Sequence, residues 1–283
     1  MIIWLASYPK SGNTWLRSII SSLIYTEDGI FNFNLLKNIP QFPNQKYFEE
    51  FTNNFSNLNE IKKYWIVSQD KINLDNKIKF LKTHQINCKI DDYNFTNKSN
   101  TCATIYIVRD PRNLVTSISN HYDKTIQEAK EFLTTSRTLS VNKNSVALKN
   151  GHVVTLIGNW GEHFNFWTKK NENILLIKYE DLIRDIKIEL NKIIIFLKKY
   201  LDFKINDEKI ENIIRSTNFD NLKKAEQEGD FVENVFKKSS NQKINFFHKG
   251  PKNNWKFNLE NEIVNEINLK FKNEMIELGY LKI

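Results

Sequence analysis

Ile2-Ile3-Trp4-Leu5-Ala6-Ser7-Tyr8-Pro9-Lys10-Ser11-Gly12-Asn13-Thr14-Trp15 opens the chain and decides its fold class. Residues 2–6 are apolar and rich in β-formers, and Ser7-Tyr8-Pro9 ends the run, a pattern that predicts a buried strand. From Thr14 onward, apolar residues recur at Trp15, Leu16, Ile19, Ile20, Leu23 and Ile24, with Arg17, Ser18, Ser21 and Ser22 between them. That spacing predicts a helix with one buried stripe. The chain therefore begins strand, tight loop, helix.

The same unit recurs downstream. Residues 78–81 predict a strand running into Lys82-Thr83-His84, and residues 104–108 one running into Arg109-Asp110-Pro111. There Asp110 reads as a helix N-cap and Pro111 as the first helical residue. Residues 174–177 predict a fourth strand, followed by Tyr179-Glu180-Asp181 and a helix carrying Leu190, Ile193, Ile194 and Leu197. Strands alternating with helices predict one α/β domain over residues 1–283, a central parallel sheet flanked by helices on both faces. Two stretches break the rhythm. Residues 26–77 are rich in aromatics, and residues 123–156 read as polar and irregular. Insertions of this kind sit over the strand C-terminal ends, where ligands bind.

Composition narrows the function. The 283 residues carry 41 Lys and Arg against 33 Asp and Glu, a net charge of +8. A basic balance suits an anionic partner such as nucleic acid, anionic lipid or a phosphorylated nucleotide, and a Lys- and Asn-rich codon bias accounts for it equally well. Cys88 and Cys102 form neither a disulfide framework nor a CxxC metal motif, which fits a reducing compartment. No basic region followed by an apolar stretch marks a signal peptide, and no run of about 18 apolar residues predicts a membrane span. The expectation is a cytoplasmic protein with neither a membrane nor a nucleic acid as partner.

The loop after the first strand has the chemistry of an anion cradle. A helix N-terminus offers unpaired N–H groups and the positive end of a dipole. Gly12 lets the backbone approach closely, Ser11 and Thr14 add hydroxyls, and Lys10 adds charge. It is not a Walker A loop, because Lys10 precedes the loop's only Gly instead of following the last one. An ordinary strand-to-helix turn with a surface Lys fits the same residues.

Residues 8–15 resemble the first signature of the family of sulfotransferases that use 3′-phosphoadenosine 5′-phosphosulfate (PAPS), a Tyr-Pro-Lys-Ser-Gly-x-x-Trp loop. The resemblance implies a P-loop-like phosphosulfate-binding loop made of Lys10, Ser11, Gly12, Asn13, Thr14 and Trp15. In it Lys10 meets the oxygen that bridges phosphate and sulfate, and Trp15 lies near the adenine. Arg109 and Ser117, eight residues apart, resemble the second signature, which implies a 3′-phosphate site. Lys82-Thr83-His84 resembles the family's Lys-Thr-His segment, which implies His84 as catalytic base, with Lys82 holding the transferred group. Tyr179, Thr217 and Phe219 resemble adenine-contacting positions.

His248-Lys249-Gly250 followed by Trp255 is similar to a C-terminal loop on the 3′-phosphate, with His248 where Arg is usual and Asn253 where Gly is usual; Asn tolerates a left-handed backbone. Residues 226–247 resemble a lid that is less ordered without nucleotide. Gly158-Asn159-Trp160, His163 and Trp167 resemble a further family helix, although core aromatics at helical spacing explain them as well. The usual dimer motif is not recognisable at residues 256–265. The implied activity is sulfuryl transfer from PAPS to a hydroxyl or amine of a small-molecule acceptor, without a metal. The aromatic insertion hints at a partly apolar acceptor pocket. A P-loop-type kinase and a non-catalytic nucleotide-binding module are the alternatives.

Overall fold

The first strand, β1 (Ile2–Ala6), has both faces covered. The computed structural model describes residues 1–139, 151–169, 172–229, 231, 235–236 and 243–282. In it Ile2, Trp4 and Ala6 belong to one apolar cluster, Ile3 and Leu5 to another, and all five are fully buried. The alternation follows from the two-residue period of a strand, and burial on both sides marks a central position. β1 pairs in parallel with β2 (Lys79–Thr83) on one side and β3 (Thr101–Val108) on the other. β3 pairs in parallel with β4 (Ile174–Lys178), so the sheet order is β2-β1-β3-β4.

The helices around it are α1 (Asn13–Tyr25), α2 (Trp65–Ile72), α3 (Pro111–Tyr122), α4 (Ile126–Thr134), α5 (Trp160–Thr168), α6 (Tyr179–Arg184), α7 (Ile186–Leu197), α8 (Asp207–Ser216), α9 (Phe219–Gln227), α10 (Asn261–Lys270) and α11 (Lys272–Glu277). α1, α6, α7, α8 and α9 pack on the Ile3–Leu5 face, and α2, α3, α4, α5, α10 and α11 on the Trp4 face. The chain is a single α/β domain with a parallel sheet between two helical layers, as the strand–helix alternation predicts. Among the described residues no helix is long and apolar enough to cross a membrane.

Two readings change. β2 continues two residues past the expected 78–81, so Lys82 is a strand residue and His84 is the first residue beyond. The extension has partners on both sides: β1 pairs Leu5 with Lys82 and Ala6 with Thr83, while Phe42 N–H donates to the Lys82 carbonyl at 2.9 Å and Lys82 N–H donates to the Pro40 carbonyl at 2.9 Å. Residues 123–156 are not uniformly irregular, because they contain α4. Thr125 and Glu128 close a capping box at its start, and Ala129, Phe132 and Leu133 enter the core. Residues 140–150 lie outside the described residues.

The aromatics of residues 26–77 build the core. Phe42, Phe48 and Trp65 are fully buried, and Phe42 stands 5.6 Å from Trp4, which Phe95 and Trp167 also flank at 5.3 and 6.3 Å. The insertion thus buries the face of the sheet rather than roofing a ligand pocket with rings.

The β3–α3 junction is built on a buried ion pair. Asp110 caps α3 by accepting from Arg112 N–H at 2.9 Å, and its carboxylate also grips the Arg112 guanidinium, with Nη2 at 2.7 Å. Arg112 Nη2 reaches the Tyr280 carbonyl at 2.8 Å, while Asp110 N–H and the Tyr280 hydroxyl both donate to Glu180. This network fixes where β3 ends and therefore where Arg109 points. Removing one member of a buried pair strands the other charge. Asp110→Ala is therefore expected to lower the unfolding free energy by about 3–5 kcal/mol, measured by urea titration, far beyond the ~1 kcal/mol of an ordinary cap.

Candidate active site

In an open parallel sheet the strands end at one edge, and a crevice forms where the strand order reverses. Here β1 leads to β2 on one side and, through it, to β3 on the other. Ser7, His84, Arg109 and Tyr179 are the residues that follow β1, β2, β3 and β4, so they share that edge. The cavity there has a volume of about 830 Å³. Lys10, Gly12, Asn13, Thr14, Trp15, Lys82, His84, Arg109, Ser117, Tyr179, Phe219, His248, Lys249 and Gly250 all line it. Four of the chain's five histidines, His84, His121, His152 and His248, do so as well.

Two predicted residues are placed elsewhere. Thr217 is fully buried behind Phe219 in sequence and spends its hydroxyl on the Ile213 carbonyl at 2.7 Å, as helix-terminal threonines do. Ser11 is also fully buried, on the inner side of the loop, and its Oγ has no hydrogen-bond partner among the described residues.

Close packing shapes the loop. Gly12 has φ +105°, and a Cβ there would lie 2.6 Å from the Tyr179 ring. Gly250 has φ +51°, and its Cβ would meet the Phe219 ring at 2.2 Å. Both positions require glycine. Lys10 adopts φ +67°, a left-handed conformation that costs a non-glycine residue free energy and clusters at functional sites. Its Nζ sits 3.3 Å from His121 Nδ1 and 3.5 Å above the Phe246 ring.

Beside the loop, Arg109 stacks on Tyr179, with its guanidinium carbon 4.1 Å from the ring centroid. Arg109 is buried, and its Nε has no hydrogen-bond partner among the described residues. An unsatisfied buried cationic donor beside a cavity is what an anion would complete. Trp15 and Tyr179 meet edge to face at 5.5 Å, and Phe219 and Phe247 at 6.0 Å, leaving flat apolar walls. His248 has its pKa pushed below the usual imidazole range by burial and by Lys249, Lys223 and Lys10. The Lys249 ammonium donates to Asn258.

Asn253 does not use a left-handed backbone, since its φ is −75°. Its side chain works instead: Oδ1 accepts from Thr116 at 2.8 Å, and Nδ2 donates to the Asn113 carbonyl at 2.7 Å, clipping the C-terminal loop to α3. The expected lid, residues 226–247, falls in part outside the described residues. Among those described, the Glu226 carboxylate accepts from Phe246 N–H at 2.6 Å and Phe247 N–H at 2.9 Å, anchoring that turn to α9.

His84 is oriented from both sides. The β1–β2 ladder ends with Ser7 N–H donating to the Thr83 carbonyl at 3.2 Å, and His84 Nδ1 then lies 2.7 Å from the Ser7 carbonyl. A carbonyl only accepts, so Nδ1 carries the proton and Nε2 is the basic nitrogen. Asn13 holds Ser7 in turn, donating to its Oγ at 3.1 Å and to the Leu5 carbonyl at 2.9 Å. From behind, His163 Nε2–H donates to the His84 carbonyl at 3.1 Å, and its Nδ1 accepts from the Tyr106 hydroxyl at 2.8 Å. Burial lowers the His163 pKa to about 3, so it stays neutral. The family-like helix around Trp160 is therefore core, as aromatics at helical spacing suggest, and its histidine braces His84.

Gln41, Asn44, His121, Lys124, Arg137 and His152 also line the cavity and were not foreseen. His121 follows Ser117 by one helical turn, a spacing that marks it as its neighbour on α3. Gln41 reaches the site only through its bridge to Lys82, for which no local pattern exists. Among the described residues no three His, Cys, Asp or Glu side chains gather as metal ligands.

Comparison with known proteins agrees with this geometry. The model of the sulfotransferase domain family matches residues 2–279, and the chain belongs to that family. An amine sulfotransferase of Oryctolagus cuniculus is 25% identical over 281 residues, covering 96% of this chain and 80% of its own. The crystal structure of mouse sulfotransferase SULT7A1 complexed with PAP superposes with a TM-score of 0.58 at 23% identity, covering 96% of this chain and 83% of that one. Retinol dehydratase in complex with retinol and PAP superposes at 0.61 with 17% identity, covering 97% and 81%.

The buried His163 carries a pH signature. Its folded pKa lies below that of a free imidazole, so the unfolded chain binds the extra proton between about pH 6.5 and about 3. Stability from this group is complete above that window and is lost as the pH falls through it, by up to ~1.4 kcal/mol per pH unit. Urea unfolding across that range should show a steeper acid decline in the parent protein than in His163→Gln, which has no ring to protonate.

Proposed function

We propose that the chain transfers a sulfuryl group from PAPS to a hydroxyl or amine of a small acceptor, with His84 as general base and Lys10 at the leaving phosphate. The observation that carries the reading is the His84 Nδ1 contact with the Ser7 carbonyl at 2.7 Å. It supports a base at this position because it turns Nδ1 to a carbonyl, and Lys10 and Arg109 line the same cavity. A pure nucleotide-binding module has no use for an oriented base.

The nucleotide half of the cavity suits the donor. The α1 N-terminus, Lys10 and the hydroxyl of Thr14 would hold the 5′-phosphosulfate. Arg109, Ser117, His248 and Lys249 would hold the 3′-phosphate, which would satisfy the orphaned Arg109 Nε. Trp15, Tyr179 and Phe219 would enclose the adenine. Neutral His248 would gain a proton beside a phosphate dianion, since opposite charge raises an imidazole pKa. Thr217 and Ser11, both away from the cavity, would act only by shaping these walls.

In the reaction the acceptor oxygen or nitrogen attacks sulfur, its proton passes to His84 Nε2, and the bond from sulfur to the bridging oxygen breaks. The electron pair leaves with adenosine 3′,5′-bisphosphate (PAP), where Lys10 offsets the developing charge and Lys82 holds the equatorial sulfate oxygens. Positioning and fixed charge supply most of the acceleration. The whole chain, 1–283, would work as one sulfotransferase domain in the cytoplasm.

Two experiments test the assignment. His84→Ala should leave PAP affinity intact and lower turnover by about 10²–10⁴, whereas Lys10→Ala should lower both. A folded His84→Ala enzyme with normal turnover would remove the base from the scheme. Arg109→Ala should weaken PAP binding by about 1.5–3 kcal/mol and leave binding of adenosine 5′-phosphosulfate, which lacks the 3′-phosphate, nearly unchanged. Calorimetric titration of both nucleotides reads the difference, and equal losses would refute the 3′-phosphate site.

A further inference from the structure

We propose that the acceptor is an anion, a small, partly apolar molecule whose carboxylate or phosphate is held by Arg137 and Lys124. The inference rests on the sulfotransferase reading and concerns the part of the cavity beyond His84. Among the described lining residues, Lys10, Lys82, Arg109, Lys124, Arg137 and Lys249 are cationic, and none is Asp or Glu. The donor and the transferring sulfate account for Lys10, Lys82, Arg109 and Lys249. Lys124 and Arg137 remain; the Glu128 carboxylate feels the charge of Lys124, while the described contacts of the Arg137 guanidinium are to carbonyls and a ring.

Arg137 is locked to the base by the backbone. Its carbonyl accepts from Ile157 N–H at 3.0 Å and Gly158 N–H at 3.2 Å, and Thr138–Leu139 pairs antiparallel with Thr155–Leu156. That pair is stitched to the residues after His84: Leu156 N–H donates to Gln85 Oε1 at 2.8 Å, and Ile86 N–H donates to the Leu156 carbonyl at 2.8 Å. The wall bearing Arg137 thus continues the strand end that bears the base.

The Arg137 side chain is also held in place. Nη2 donates to the Glu131 carbonyl at 2.6 Å, Nε donates to the Thr135 carbonyl at 3.4 Å, and the guanidinium stacks 4.5 Å from the Phe132 centroid. These contacts satisfy donors without cancelling the charge. Phe132 stacks on Tyr122 at 4.9 Å, and Leu139 and Val153 join them in the lining, giving an apolar surface in the cavity that His84 also lines. A planar, fixed guanidinium beside a ring ledge fits a carboxylate or phosphate on a hydroxylated ring. A cationic amine would meet the like charge of Arg137 there.

The test uses two sets that differ in charge: 4-hydroxyphenylacetate, 4-hydroxyphenylacetamide and tyramine, which share one phenolic hydroxyl, and separately glucuronate, glucose 6-phosphate and glucose, which share the hydroxyls at C1 to C4. Transfer from saturating PAPS is measured as kcat/KM. In at least one set the anionic member should exceed the neutral one by about 10- to 100-fold, the loss expected when a charged hydrogen bond is removed. Carboxylate against phosphate in the sugar set separates the two sources of the anion. Arg137→Gln should collapse that ratio, and Arg137→Glu should shift preference toward tyramine. PAP affinity in both variants should stay within about twofold, since neither touches the nucleotide half. Equal use of anionic and neutral members, preference for tyramine by the parent enzyme, or no transfer to any anionic member would overturn the proposal. Failure of the parent enzyme to bind PAP would instead overturn the sulfotransferase reading itself.

Discussion

The short contact between the His84 ring and the Ser7 carbonyl is the joint on which the site depends. It continues the β1–β2 ladder by one rung, with a side chain taking the place of a backbone N–H. Through it the sheet register, set by buried Ile and Trp side chains, determines the tautomer of an imidazole. The residues around this joint each serve it. Asn13 steadies Ser7 from inside the anion loop, and neutral His163 holds the His84 backbone from the layer beneath. Packing, hydrogen bonding and proton chemistry are here one arrangement.

The same economy governs the charged groups. Arg109 and Arg112 are three residues apart and both buried, yet they do opposite things. Arg112 is neutralised by Asp110 and serves the fold. Arg109 stacks on an aromatic ring, which stiffens it without quenching its charge. Arg137 on Phe132 repeats the second pattern across the cavity. Side chains that are held but not neutralised give the crevice its positive field, and a low-dielectric wall strengthens that field.

The net charge of +8 therefore has a location as well as a size. Many lysines are solvated or paired on the surface, as with Lys187 and Glu211 or Lys63 and Glu60. Lys10, Lys82 and Arg109 gather at the strand ends, where the helix N-terminus adds to their charge. The aromatic residues divide in the same way. Those of residues 26–77 fill the sheet face, while Trp15, Tyr179, Phe219 and Phe247, from four separate segments, make the walls of the cleft.

The sequence by itself determined the strand–loop–helix unit, the parallel sheet and the anion loop, because each rests on local periodicity, capping and turn chemistry. Asp110 and Pro111 announced the start of α3, and Lys10, Gly12, His84 and Arg109 were legible because strand ends in such sheets converge on one edge. Other features depended on which partners the folded chain brought within reach, most of them far away in sequence. Thr217 turned inward because a nearby carbonyl captured its hydroxyl. Asn253 became a clip because α3 lay within reach. Lys82 joined the strand because Leu5 paired with it on one side and Pro40 and Phe42 on the other. Arg137 became a wall of the cavity because Gln85 and Leu156 tied its segment to the base. Local pattern is set by neighbours along the chain, whereas the far half of the cleft is set by contacts between residues about 40 to 140 positions apart, and only the folded chain decides those.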